Sequence, residues 1–183
     1  MLNRMIQILE PYANWKNIFL GFVLIIFINV IIFPYALNQL KLAAPAAATP
    51  IDLEFSYTVD EVYEMIESYQ EAGRKIYRQI EIQVDFLYPI LYSITFILLL
   101  LTLLKKSYPK NPKMYRWALF PLLTFFADIF ENIGILKMLD SYPEQLEVVA
   151  AITSFHSSIK WLSIGGIFLL ILFLSLRVLL DKN

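Results

Sequence analysis

"FFADIFENIGILKML", residues 125–139, carries Asp128, Glu131 and Asn132 inside a stretch otherwise suited to lipid. The surrounding segment, 117–139, is long and apolar enough to span a bilayer, whose core of about 30 Å takes about 20 apolar residues as a helix. Three more segments qualify, 15–37, 84–104 and 159–180. Only helices or closed barrels satisfy their own backbone groups in lipid. Uninterrupted apolar runs of this length exclude the alternating pattern of a barrel strand. The expected fold is therefore all-α, an integral membrane four-helix bundle forming one domain over 1–183.

Composition agrees with this and removes several kinds of chemistry. Apolar residues make up 58% of the 183, against about 45–50% in soluble domains. There is no cysteine, which excludes disulfides, thiol nucleophiles and thiolate metal sites. A single histidine, His156, rules out a multi-histidine metal centre within one chain. No metal or cofactor is expected. Nothing has the form of a phosphate-binding loop, a nucleophile elbow or a nucleic-acid module, so no nucleic-acid partner is expected either.

Charge gives an orientation. The loop "KKSYPKNPKMYR", 105–116, is strongly basic, and Arg4, Lys16, Arg177 and Lys182 add positive charge near the ends. The first and third loops are acidic, with Asp52, Glu54, Asp60, Glu61, Glu64, Glu67 and Glu71 in one and Asp140, Glu144 and Glu147 in the other. By the positive-inside rule both termini and the second loop face the cytoplasm. Arg74, Lys75 and Arg78 run against the pattern, but in a long loop, where the rule is weak. Arg4 and Lys16 before an apolar run, followed by "LAAPAAATP", have features of a secretory signal. The apolar run ends near Phe33, short of those alanines, and is long for a signal, so it reads as a span. Trp15, Trp117 and Trp161, with Tyr12, Tyr115 and Tyr142, fall near span ends and read as an interfacial belt.

The outer loop, 38–83, holds the rest of the structure. "APAAATP" is a linker, since Pro45 and Pro50 oppose helix. "IDLEFSYT" alternates Ile51, Leu53, Phe55 and Tyr57 with polar residues, a strand-like period without a strand partner in the chain. Lacking one, it is expected to lie extended along the membrane or the bundle top. Thr58 and Glu61 fit a capping box, opening an amphipathic helix with Val59, Val62, Ile66 and Tyr69 on one face. Gly73 is expected to end or bend this helix, giving a cap over about 59–72, and a second helical stretch from about Arg74 runs into the second span. The cap covers the bundle top, closes over a site, or docks a protein partner. Pro34 and Pro121 are expected to bend helices, and Gly165 and Gly166 to mark close helix packing.

At a rise of about 1.5 Å per residue, Asp128 and Glu131 stand about 22 and 27 Å above Lys113. Lys160 stands about 25 Å above Arg177, Asp85 about 30 Å above Lys105 and Asn29 about 20 Å above Lys16. The depths match, in the outer half of the membrane. Asp128, Glu131 and Asn132 share one helix face, as do Asp85, Tyr88 and Tyr92, and His156, Lys160 and Ser163. Stripes like these turn inward, away from lipid. One Lys160 does not neutralise Asp85, Asp128 and Glu131 together, so at least one carboxyl is protonated, hydrated or matched by His156 or a ligand. The cluster is either a buried network that fixes helix register or a site.

As a site, it is read as binding or converting a small amphiphile such as a membrane lipid or isoprenoid. In an enzyme the chemistry would be proton transfer, with Glu131 and Asp128 as acid and base and Lys160 balancing charge. Asn29, Asp85, Tyr88, Tyr92, Asn132 and His156 would bind substrate. The alternative is a non-enzymatic accessory or assembly protein that docks through 59–72, its polar cluster purely structural. A subunit of an ion-coupled transporter ranks third, since four spans are few for a transport path unless copies of the chain form a homo-oligomer.

The segments "FSYTVDEVYEMIESYQEAGRKIY", "DFLYPILY", "ADIFENIGI", "LDSYP" and "IKWL" together resemble a group of bacterial four-span membrane proteins with no established activity. The resemblance covers most of 55–162. It implies a four-helix bundle in a bacterial inner membrane and lends no functional residue.

Overall fold

The structure, a computed structural model, describes residues 2–47 and 49–180; Lys182, counted above among the terminal basic residues, lies outside them. Helices dominate, and no strand occurs among the described residues. Four helical rods, Trp15–Ala43, Gln70–Ser107, Pro112–Ser141 and Glu147–Leu180, are long and apolar enough to cross a membrane. Each contains one expected span and extends beyond it. The second rod is the hub, with most of its apolar stretch buried, whereas the first and fourth turn most of theirs to the surroundings.

Local chemistry sets the ends. Asn14, in extended backbone, accepts the Asn17 N–H at 3.0 Å and starts α2, Trp15–Phe27. The first rod continues through a π-helical segment, Ile28–Ile32, into α3, Phe33–Ala43. Pro34 has no N–H for the carbonyl four residues back, and the ladder widens just before it. The third rod opens as a 3-10 helix over Pro112–Leu119 and becomes α7, Pro121–Ser141, with Pro121 at its start, where a missing N–H is harmless. The fourth rod is α8, Glu147–Leu180.

Two apolar cores stabilise the bundle. One, at the basic end, joins Ile18, Leu100, Leu101, Leu104, Ala118 and Leu174, with Ile6 of α1, Leu2–Leu9, against it. Lys105 pairs with Glu10 at 2.7 Å there, and the Arg177 guanidinium lies 4.3 Å from the Tyr108 ring centre. The other core, at the acidic end, joins Leu40, Ile51, Val62, Ile66, Tyr77 and Met138. Helices approach closely where Gly21 meets Thr95 and Gly134 meets Thr153, leaving no space for a side chain. Of the pair expected to do this, Gly166 lies against the Phe120 ring, but Gly165 meets nothing.

The acidic end carries the cap. Both halves of the capping box form: Glu61 N–H donates to Thr58 Oγ1 at 3.3 Å, and Thr58 N–H to Glu61 Oε2 at 2.7 Å. The cap helix α4 spans Val59–Ser68, with Val62, Tyr63 and Ile66 buried and Asp60, Glu61, Glu64 and Glu67 exposed. It is shorter than expected. The break falls at Gln70, whose φ of 56° is left-handed, and not at Gly73. Gly73 sits inside α5, Gln70–Ile80, where an added Cβ would lie 3.0 Å from the Ala44 Cβ; its role is close packing on the first rod. From α5 the chain passes through a second π segment, Glu81–Asp85, into α6, Tyr88–Ser107. Arg78 grips Asp140 through two hydrogen bonds, 2.7 and 3.4 Å, which gives one of the basic residues at the acidic end a partner there.

The strand-like stretch forms no strand. Ile51–Leu53 is a 3-10 turn, and the chain then runs extended along the fourth rod. Ser154 Oγ accepts the Tyr57 N–H at 2.9 Å, while Ser157 and Trp161 donate to the Glu54 carbonyl and Ser158 to that of Phe55. Helix side chains fill the place of a neighbouring strand.

Candidate functional site

Between the two cores the second, third and fourth rods bring their polar stripes together. Lys160, buried on the fourth rod, places Nζ 2.7 Å from Glu131 Oε2 and 3.9 Å from Asp128 Oδ1, and donates to the Asp52 carbonyl at 2.6 Å. The Glu131 contact is an ion pair without hydrogen-bond alignment, and neither Glu131 oxygen forms an aligned hydrogen bond. Tyr92 donates its hydroxyl proton to Asp128 Oδ2 at 2.7 Å. Asn29 donates to Tyr88 Oη at 2.7 Å and to the Ile25 carbonyl at 2.8 Å. The first rod thus joins the cluster through its π segment.

Asn132 has a specific task. A helix carbonyl is normally matched by the N–H four residues on. For Asp85 that residue is Pro89, which has none. Asn132 Nδ2 donates to the Asp85 carbonyl instead, at 2.7 Å. The Asp85 carboxylate is thereby held at the end of a π segment, a local widening common at functional sites.

A cavity of about 430 Å³ opens beside this cluster. Asp52, Asp85, Tyr88, Asp128 and Lys160 form its polar end. Its body is apolar, with Ile25, Phe33 and Leu37 of the first rod facing Ile164, Ile167 and Phe168 of the fourth. The first rod packs along the second and makes no comparable contact with the fourth. The cavity occupies that gap.

Of the expected site residues, Asn29, Asp85, Tyr88, Tyr92, Asp128 and Lys160 line the cavity. Glu131 and Asn132 belong to the same cluster but lie behind it, one against Lys160 and one against the second rod. His156 does not join them. Its Nδ1 is held 2.8 Å from the carbonyl of Ile152, and its ring lies beside Phe130 and Phe155, at 5.3 and 6.0 Å. It cannot match a carboxyl of the cluster from there. Trp161, expected in the interfacial belt, also lines the cavity.

Sequence reasoning missed four contributors. Asp52 roofs the cavity from the outer loop, and Tyr77 donates to its Oδ1 at 2.9 Å. Glu81 is fully buried, with neither oxygen in an aligned hydrogen bond. Tyr57 is buried over the cluster with its hydroxyl unpartnered. Burial first, then the nearby Glu131 and Glu81 carboxyls, push that hydroxyl far above the ordinary phenol range, so it remains a proton donor. A signal existed for two of these: Tyr77, Glu81, Asp85, Tyr88 and Tyr92 recur at spacings of three and four.

The arrangement offers fixed carboxylates and phenols at one end of an apolar slot. The described residues contain no cluster of metal-ligating side chains. No family model, curated protein or solved structure matches the chain.

Proposed function

We propose that this membrane-spanning protein binds a small amphiphile, its chain between the first and fourth rods and its polar head against Asp85, Asp128 and Asp52. The observation that carries this reading is the cavity itself, polar at one end and apolar along its body. Its size falls in the range of about 300–1,000 Å³ typical of small-ligand sites. A purely structural network has no need of a slot beside it. In this reading the basic end faces the cytoplasm of a bacterial inner membrane, and the cavity opens to the outer leaflet. Impermeant maleimide should label Glu64→Cys from outside and Lys110→Cys only after the membrane is opened; the reverse pattern would invert the orientation.

If the site also converts its ligand, Asp128 is placed to exchange a proton with it, while Glu131 acts through Lys160. Docking through 59–72 has less support. The apolar face of that segment, Val62, Tyr63, Ile66 and Tyr69, is already buried against the bundle, leaving only its acidic face for a partner.

The test is mass spectrometry of small molecules extracted from the detergent-purified protein, beside an Ile164→Trp variant that fills the slot. An amphiphile retained by the parent and lost from the variant is the expected result. Equal retention by both, or none above empty micelles, would sink the reading.

A further inference from the structure

Resting on that reading, we infer that the amphiphile carries a cationic head, an alkylammonium group seated between Asp85 and Asp128. The charge inventory points this way first. Among the described residues four buried carboxyls, Glu81, Asp85, Asp128 and Glu131, stand against one buried cation, Lys160. That cation is already engaged, by Glu131 at 2.7 Å and the Asp52 carbonyl at 2.6 Å. An anionic head would therefore meet Asp85 and Asp128 with no free positive charge to receive it.

Asp85 is the second, independent observation. It is only 7% exposed and lines the cavity. Its backbone carbonyl is satisfied by Asn132, while no hydrogen bond from the described residues reaches its carboxylate. A buried, unpartnered acceptor aimed into an apolar slot calls for a donor or a positive charge brought by the occupant. The third observation is aromatic. Phe33 packs edge-on against Tyr88 at 5.2 Å, Tyr88 against Tyr92 at 5.3 Å, and all three line the cavity together with Trp161. Ring faces beside carboxylates are how proteins hold organic ammonium groups, through the negative potential over each ring. The Asn29–Tyr88 hydrogen bond and the edge-on packing fix the Tyr88 ring in that position. Asp128 already accepts the Tyr92 hydroxyl and lies 3.9 Å from Lys160 Nζ, so an alcohol head would answer Asp85 alone and leave the Phe33, Tyr88 and Tyr92 rings unused.

The experiment compares three probes with the same chain, dodecylamine, dodecanol and dodecanoate. They compete for the full-length protein in phosphatidylcholine nanodiscs, with empty discs subtracted. The inference expects dodecylamine to bind at least tenfold tighter than dodecanol, and dodecanoate weakest. Asp85→Asn and Asp128→Asn should each shrink the ratio of dodecylamine to dodecanol affinity severalfold. The head-group comparison on the unaltered chain decides the matter even where a variant folds poorly. Saturable binding of all three with equal strength would overturn the ammonium assignment and leave the amphiphile reading standing. No saturable binding of any probe would overturn both.

Discussion

Pro89 and Asn132 explain each other, though they stand on different rods. Pro89 leaves the Asp85 carbonyl without its helical donor, and Asn132 supplies one across the interface. Removing the amide should leave a buried carbonyl unsatisfied, at a cost of about 1–3 kcal/mol. Asn132→Ala is therefore expected to destabilise the protein by that amount. In a Pro89→Ala background, which restores an N–H at the right position, the same change should cost less, with a coupling of at least about 0.5 kcal/mol. Reversible unfolding in mixed micelles reads both. Additive losses would mean that Asn132 acts elsewhere. The inward direction of Asn132 was legible from its spacing with Asp128. Its partner was not, because stripes of side chains say nothing of backbone groups. His156 shows the opposite failure. It shares a helical spacing with Lys160, yet the Ile152 carbonyl captures its ring nitrogen and holds it beside two phenylalanines. Spacing fixes which side of a helix a residue is on and leaves its rotamer open.

At the level of elements, the cap helix has a pH-sensitive start. The Thr58 N–H, then its hydroxyl, hold the Glu61 carboxyl below its ordinary value of 4.5. A carboxyl depressed in the folded state adds stability above its unfolded value and loses it as pH falls through the folded one. Opening of α4, read by hydrogen exchange of residues 59–68, should thus rise as pH drops below about 4.5. Glu61→Gln should remove this dependence, whereas Thr58→Val, which keeps the backbone N–H, should weaken it only in part and raise opening at neutral pH, since losing an N-cap costs about 1 kcal/mol. A variant with the unaltered pH profile would show that the box does not anchor the cap. The spans and this box were legible because apolar length and cap spacing are local signals. The segment from 51 to 57 was legible only in part. Its alternation is that of an extended chain, but its hydrogen-bond partners are Ser154, Ser157, Ser158 and Trp161 on a helix a hundred residues away. Likewise the helix break at Gln70 uses a left-handed backbone at a residue other than glycine, which sequence preference does not announce.

For the whole molecule, the consequence lies in how the rods are held. The third and fourth pack tightly over Gly134, and the second is clasped by both, whereas the first is joined mainly to the second. The bundle is therefore closed on one side and split on the other, and the split is the wall of the cavity. Buried oxygens of Glu81, Tyr57 and Asn132 around it lack hydrogen-bond partners among the described residues, so the protein keeps a polar interior at a cost in stability. That cost is easier to understand if the first rod swings to admit a molecule than if the bundle were a static anchor. A pair of cysteines tests this cleanly, since the sequence has none of its own. Ile25→Cys and Phe168→Cys, both lining the gap from opposite sides, can be bridged by a reducible bis-maleimide. Bridging should slow entry and exit of dodecylamine together, by about tenfold or more, relative to the same doubly labelled protein with its spacer cut. Cleaving the spacer's own disulfide should restore exchange in the same sample. Unchanged exchange in the bridged protein would place the entrance at the roof, beside Asp52 and Leu53, and the first rod would be a fixed wall.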